Sequence, residues 1–81
     1  MDVRAETLNI LDQTLSLQGR AKSFDDDTPL LGAIPELDSM AVVSLIGAIE
    51  ERFGFTVDDD ELSGATFATV GSLTNFVKSK L

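Results

Sequence analysis

Between Asp38 and Gly54 the apolar residues Val42, Leu45, Ile46, Ile49 and Phe53 recur at i, i+3, i+4, i+7 and i+11. An α-helix places residues so spaced on one face, and a strand does not. This helix begins at Asp38 or Ser39 and stops at Gly54, which takes a left-handed backbone at no steric cost. A first amphipathic stretch runs from Val3 to Leu17, with Leu8, Leu11 and Leu15 on one face and Gly19 as its stop. "VDDDELSG", residues 57–64, predicts one short helix capped by Asp58 or Asp59 and ended by Gly64. After Thr69, a good N-cap, Val70, Leu73, Val77 and Leu81 share a face, and Lys78 and Lys80 occupy the last turns, where cations suit the helix dipole. The expected fold class is all-α: a four-helix bundle of three longer helices and one short helix, a single domain over residues 1–81. From about Gln18 to Leu37 no period is visible, and Pro29, Gly32 and Pro35 interrupt the chain. A loop of this length is usually functional or disordered. Phe24, Leu30, Leu31 and Ile34 predict order here, because they can press the loop onto the helices.

The composition narrows the chemistry. The chain has 81 residues, 43% of them hydrophobic and 25% charged, as in ordinary globular domains. With no cysteine and no histidine it lacks a protein thiol, a thiolate metal site and the commonest general base. The net charge of −8 excludes ordinary phosphate-backbone binding, so no nucleic-acid partner is expected. Eleven of the acids lie between residues 23 and 61 against the single Arg52, an anionic surface suited to steering a basic partner or simply to solubility. The longest apolar runs are too short to span a membrane, and "MDVRAETLNILDQ" lacks the basic and apolar regions of a signal peptide. A cytoplasmic monomer is the expectation. A calcium loop starting at Asp25 would have Asp27 and Glu36 at positions 3 and 12, but Pro29 and Leu30 stand where a ligand and the turn glycine belong. A loop starting at Asp58 fails at positions 5, 6 and 12.

Ser39, at the mouth of the central helix, has two readings. It can cap the helix, as serine and aspartate both do. Its hydroxyl is also placed where an attached phosphate would meet free backbone N–H groups and the positive end of the dipole. No base stands beside it in sequence, so it is an attachment point for another enzyme rather than a triad nucleophile. Spacing alone does not choose between capping and attachment.

"LDSMAVVSLIGAIEERFGF" resembles the core of the acyl carrier proteins, in which an Asp-Ser-Leu or Asp-Ser-Met motif opens the second helix. The resemblance extends over nearly the whole chain: the first helix, the long loop, Asp38-Ser39-Met40, the "EERFGF" ending, the acidic "DDDEL" turn and the closing "TFATVGSLTNFV". It implies a non-catalytic carrier whose Ser39 receives 4′-phosphopantetheine from coenzyme A through a magnesium-dependent phosphopantetheinyl transferase. The absent cysteine is then consistent, because the arm brings its own thiol to hold acyl groups as thioesters. By resemblance the walls of an acyl cavity are Val42, Leu45, Ile46, Ile49, Leu62 and Phe67, though as apolar positions these need no function beyond packing.

The chain also departs from the family. Many fatty-acid carriers have carboxylates two and five residues after the serine, where this sequence has Ala41 and Ser44, and a larger apolar residue where it has Gly47. Arg52 interrupts the acidic run after Glu50 and Glu51. The recognition face is expected at Asp38, Met40, Val43, Gly47 and Glu50, meeting acyl-loading, transferring or condensing enzymes with basic docking surfaces. The lead-in "LLGAIPELDSM" is similar to carriers that accompany exopolysaccharide or envelope gene sets, so the resemblance implies a specialised carrier serving lipid, polyketide or envelope biosynthesis. Two rivals stand beside it: a D-alanyl or peptidyl carrier, and a helical adaptor that is never modified.

Overall fold

A computed structural model of the chain describes residues 2–58, 61 and 64–81. Among these residues there are three α-helices, α1 (Val3–Leu15), α2 (Ser39–Phe53) and α3 (Val70–Lys80), with a 3-10 turn at Arg20–Ser23 and no strand. The short helix expected over 57–64 falls mostly on Asp59, Asp60, Leu62 and Ser63, which lie outside the described residues. What is described there is a reciprocal turn. The Glu61 N–H donates to the Asp58 carbonyl and the Asp58 N–H donates to the Glu61 carboxylate, each at 3.0 Å. Lys80, at the end of α3, reaches both oxygens of that carboxylate at 2.8 Å and so ties the turn to the last helix.

Helix α1 starts as its sequence directs: the Asp2 carboxylate accepts from the Ala5 N–H at 3.1 Å, satisfying one free donor of the first turn. Its end differs from expectation. The helix stops at Leu15, with Ser16 in the left-handed region at φ 55°, rather than running to Leu17 and stopping at Gly19. The physical reason is Asp12. Its carboxylate accepts from the Gly19 N–H at 3.1 Å and the Ala21 N–H at 3.2 Å, so the chain turns back over its own last turn. Leu17 leaves the helix but stays fully buried.

The core is formed by Leu11, Leu15, Leu17, Leu30, Leu45, Ile49, Val70, Leu73 and Val77, with Ile10 and Phe67 at its margin. Helix α1 packs against both α2 and α3. The Arg52–Glu6 ion pair, 2.9 Å long, joins the end of α2 to the start of α1, so these two helices run antiparallel. The expected stripe of α2 divides: Leu45 and Ile49 are buried, while Val42, Ile46 and Phe53 are partly buried against the core. On α3, Val70, Leu73 and Val77 are buried as expected, but Leu81 lies past the helix end and is 62% exposed.

The long loop is ordered by backbone pairing. The Leu30 and Leu31 N–H groups donate to the Ala68 and Phe67 carbonyls at 2.9 and 3.0 Å. The Val70 and Gly71 N–H groups donate back to Thr28 and Asp26 at 3.1 and 2.9 Å. The first amides of α3, which no intrahelical carbonyl can reach, are thus satisfied by the loop, while Thr69 and Ser72 form a reciprocal capping box. Of the four expected loop anchors, Leu30 is buried and Phe24 and Ile34 pack on the core, but Leu31 is 45% exposed.

This seam depends on Gly71. A Cβ there would lie 2.9 Å from the Asp26 carbonyl oxygen. Gly71→Ala should therefore destabilise the fold by about 1–3 kcal/mol despite its better helix propensity. A urea midpoint at or above wild type would show that the seam yields without loss.

Candidate functional site

At the start of α2 the backbone of Asp38 is extended and its carboxylate accepts from the Ala41 N–H at 2.8 Å. Asp38 is the N-cap and Ser39 the first helical residue. The capping reading of Ser39 is answered by its neighbour. The Ser39 side chain is exposed, and among the described residues no hydrogen bond holds its hydroxyl. The first intrahelical bond goes from the Val42 N–H to the Asp38 carbonyl at 3.0 Å. The amides of Ser39 and Met40 therefore have no acceptor within the helix and remain open at its head. A free oxygen nucleophile, unpaired N–H donors and a positive dipole end meet at one exposed point, a combination that suits an esterified phosphate.

The approach to Ser39 is fixed from behind. Leu37 is buried, and its N–H donates to the Ile34 carbonyl at 3.0 Å. Glu36 pairs with Arg20 from the 3-10 turn, fastening the lead-in to the end of α1. Its own backbone N–H and the Arg20 guanidinium hold the Glu36 carboxyl below the usual carboxylate range.

The structure disperses the other expected site residues. Met40, Val43 and Gly47 lie together on the outward face of α2, with Met40 75% and Val43 67% exposed. Glu50 is partly buried, and its carboxylate accepts from the Val57 N–H at 2.7 Å, pinning the chain beyond Gly54 back onto α2. Asp38 is committed to its cap. Glu51, which sequence reasoning did not select, is the exposed acid on the outward face and has no ion-pair partner among the described residues. Helical angle was the signal that could have found it, since it stands eleven residues after Met40, three turns further along the same side.

The expected acyl-lining residues Leu45, Ile49 and Phe67 sit in the closed core, Val42 and Ile46 are partly buried against it, and Leu62 lies outside the described residues. Two surface cavities lie elsewhere. One, of about 380 Å³, is bordered by Arg4, Asp26, Ser72 and Lys78, and the other, of about 350 Å³, by Ile10, Gln13, Ala48 and Glu51 between α1 and α2. Among the described residues no group of three or more acids is arranged for a metal. Asp25 is instead used in a turn, its carboxylate accepting from the Asp27 N–H and the Thr28 hydroxyl. No helix among them is long and apolar enough to cross a membrane.

Comparison with known proteins shows the family of the chain. Residues 5–77 match the family described as "Phosphopantetheine attachment site". The solution NMR structure of a holo acyl carrier protein from Nitrosomonas europaea superposes with a TM-score of 0.91 at 51% identity, covering 99% of this chain and 96% of that one. The chain belongs to the acyl carrier protein family. No curated protein gives a significant match. Proteins of this family are non-catalytic carriers, substrates of other enzymes, and the group they accept covalently is phosphopantetheine.

The Arg20–Glu36 tie generates a pH dependence. A carboxyl held low when folded favours folding once the unfolded chain's glutamate, with its ordinary pKa of about 4.3, has ionised. That contribution is lost as pH falls through the folded-state value. Glu36→Gln should therefore lower the urea midpoint at pH 7, and the gap to wild type should close on acidification. A gap that is constant from pH 7 to pH 3 would assign the loss to packing instead.

Proposed function

We propose that Ser39 is the attachment point and that the protein carries acyl groups between enzymes of a specialised biosynthetic pathway. The observation that carries this reading is the division of labour at the head of α2. Asp38 does the capping, and the adjacent hydroxyl is left exposed at the positive end of the helix. The residues present fit the group: the Ser39 oxygen would be esterified, and the Ser39 and Met40 amides would face the resulting phosphodiester. Ser39 Oγ attacks the pantetheine-bearing phosphorus of coenzyme A. A new P–O bond would form as the bridge to the nucleotide breaks, and the hydroxyl proton would pass to a base of the transferase, since the adjacent Asp38 carboxylate is engaged by the Ala41 amide. When bound, the arm supplies the thiol that this cysteine-free chain lacks, for holding an acyl group as a thioester.

The buried Leu37 and capped Asp38 give the modified serine a fixed base, so mobility belongs to the arm rather than the protein. An acyl rather than peptidyl cargo is favoured by the 51% identical relative, itself an acyl carrier protein. The partners in this reading are a phosphopantetheinyl transferase and acyl-loading, transferring or condensing enzymes of lipid, polyketide or envelope biosynthesis. We read the chain as a cytoplasmic monomer whose acidic surface steers basic partners. Val42 and Ile46, partly buried on the inner side of α2, are the residues we assign to acyl shelter. Each buried methylene contributes about 0.8 kcal/mol without any directed contact.

The test is intact mass after incubation with coenzyme A, magnesium and a broad-specificity transferase. Wild type should gain one phosphopantetheine and Ser39→Ala none, with the two chains showing the same helical circular dichroism. Addition to the alanine variant would move the site to another hydroxyl.

A further inference from the structure

The chain between the loop seam and the head of α2 is held by few polar contacts. Within residues 32–37 the backbone hydrogen bonds are local: the Ala33 and Ile34 amides donate to the Leu30 carbonyl, and the Leu37 amide donates to Ile34. Among the described residues, the pair formed by Arg20 and Glu36 is the polar contact that joins this stretch to another element. Glu36 lies three residues before Ser39. Its second carboxylate oxygen is enclosed and receives no hydrogen bond from another described residue. Arg20 is therefore the group that offsets this charge. Without it the carboxylate has to turn to water and take the lead-in with it, since an enclosed, unpartnered charge is costly.

Arg20 is itself held in place. The two Asp12 carboxylate oxygens accept from the amides on either side of it, Gly19 at 3.1 Å and Ala21 at 3.2 Å. Its Nε donates to the carbonyl of the buried Leu17 at 3.2 Å, which limits the swing of the guanidinium. The turn that brings these groups together is strained. Ser16 and Gln18 both take left-handed backbones, at φ 55° and 56°, though neither is glycine. Such residues persist only where their surroundings hold them, and they cluster where the geometry has a use. Here the turn has two consequences: Leu17 enters the core, and Arg20 is aimed at Glu36.

We propose that Arg20 is a positioning residue: gripped by Asp12 and Leu17, it fixes Glu36 and, through Glu36, the way Ser39 is presented to the enzyme that attaches the arm. The proposal rests on attachment at Ser39. Loss of the tie loosens the lead-in without unfolding the helices, because Leu37 stays buried and Asp38 keeps its cap. The change is in the fraction of chains that present the serine correctly, and apparent affinity falls in proportion to that fraction.

The test is a double-mutant cycle, read as kcat/KM for arm attachment by the broad-specificity transferase with coenzyme A and magnesium. It is run at a temperature where circular dichroism shows every variant folded. Arg20→Gln and Glu36→Gln should each lower kcat/KM about threefold, through KM, a size in keeping with one partly exposed ion pair. The double variant should lose no more than either single one, because both remove the same tie. Lys22→Gln makes the same change in net charge as Arg20→Gln, at an exposed lysine with no ion pair among the described residues, and should keep the wild-type rate. An additive loss in the double variant would mean that Arg20 acts by another route and would overturn the positioning role. So would wild-type rates in both single variants, or a loss in Lys22→Gln equal to that in Arg20→Gln; all three leave the attachment intact. Failure of wild type to accept any arm would instead overturn the proposed attachment. The positioning role is then decided on the chain alone by ¹⁵N heteronuclear NOEs. Lower values at residues 32–38 in Arg20→Gln, with α1 and α3 unchanged, support it, and values equal to wild type remove it.

Discussion

The seam between the long loop and the start of α3 holds the molecule in one piece. A stretch of more than a dozen residues without helix would ordinarily leave its backbone groups to water. Here the Leu30 and Leu31 amides find the Ala68 and Phe67 carbonyls, and the Asp26 and Thr28 carbonyls find the amides of Gly71 and Val70. Each side satisfies groups the other cannot satisfy alone. The pairing also carries Leu30 into the core, so that hydrogen bonding and apolar burial act at the same place. With the loop anchored there at one end and by Leu37 at the other, the position of Ser39 follows.

The acidic surface takes on a different meaning once partners are assigned. A net charge of −8 suggests free carboxylates ready for a basic partner. Many of them are already committed. Asp2 and Asp38 cap helices, Asp12 binds loop amides, and Glu50 binds the Val57 amide. Glu6, Asp26, Glu36 and Glu61 pair with Arg52, Arg4, Arg20 and Lys80. The exposed pairs among these contribute little individually, yet they consume charge that would otherwise face outward. Beside Ser39 the exposed side chains of α2 that follow it, Met40 and Val43, are apolar.

The division of roles between Asp38 and Ser39 links fold to function. A serine that capped its own helix would have its oxygen engaged with a backbone amide and turned inward. Moving that task one residue back frees the hydroxyl and leaves the field of the helix end directed at it. The same residue pair thus caps the helix and leaves a hydroxyl exposed at its head, the position proposed for attachment.

Sequence alone determined the three long helices, the cap at Thr69, the stop at Gly54 and the family motif at Asp38-Ser39-Met40, because periodicity, capping and turn chemistry are written in neighbouring residues. It also placed most of the buried stripes of α2 and α3, where spacing translates directly into facing. It misplaced the end of α1, since Asp12 acts on amides seven and nine residues away, and it could not tell that Glu50 turns inward while Glu51 stays out. Only the tertiary structure decided which charges meet: Arg20 with Glu36, 16 residues apart, and Arg52 with Glu6, 46 apart. Such partners are chosen by how the helices pack, because contacts between distant residues exist only after the loop has brought the elements together.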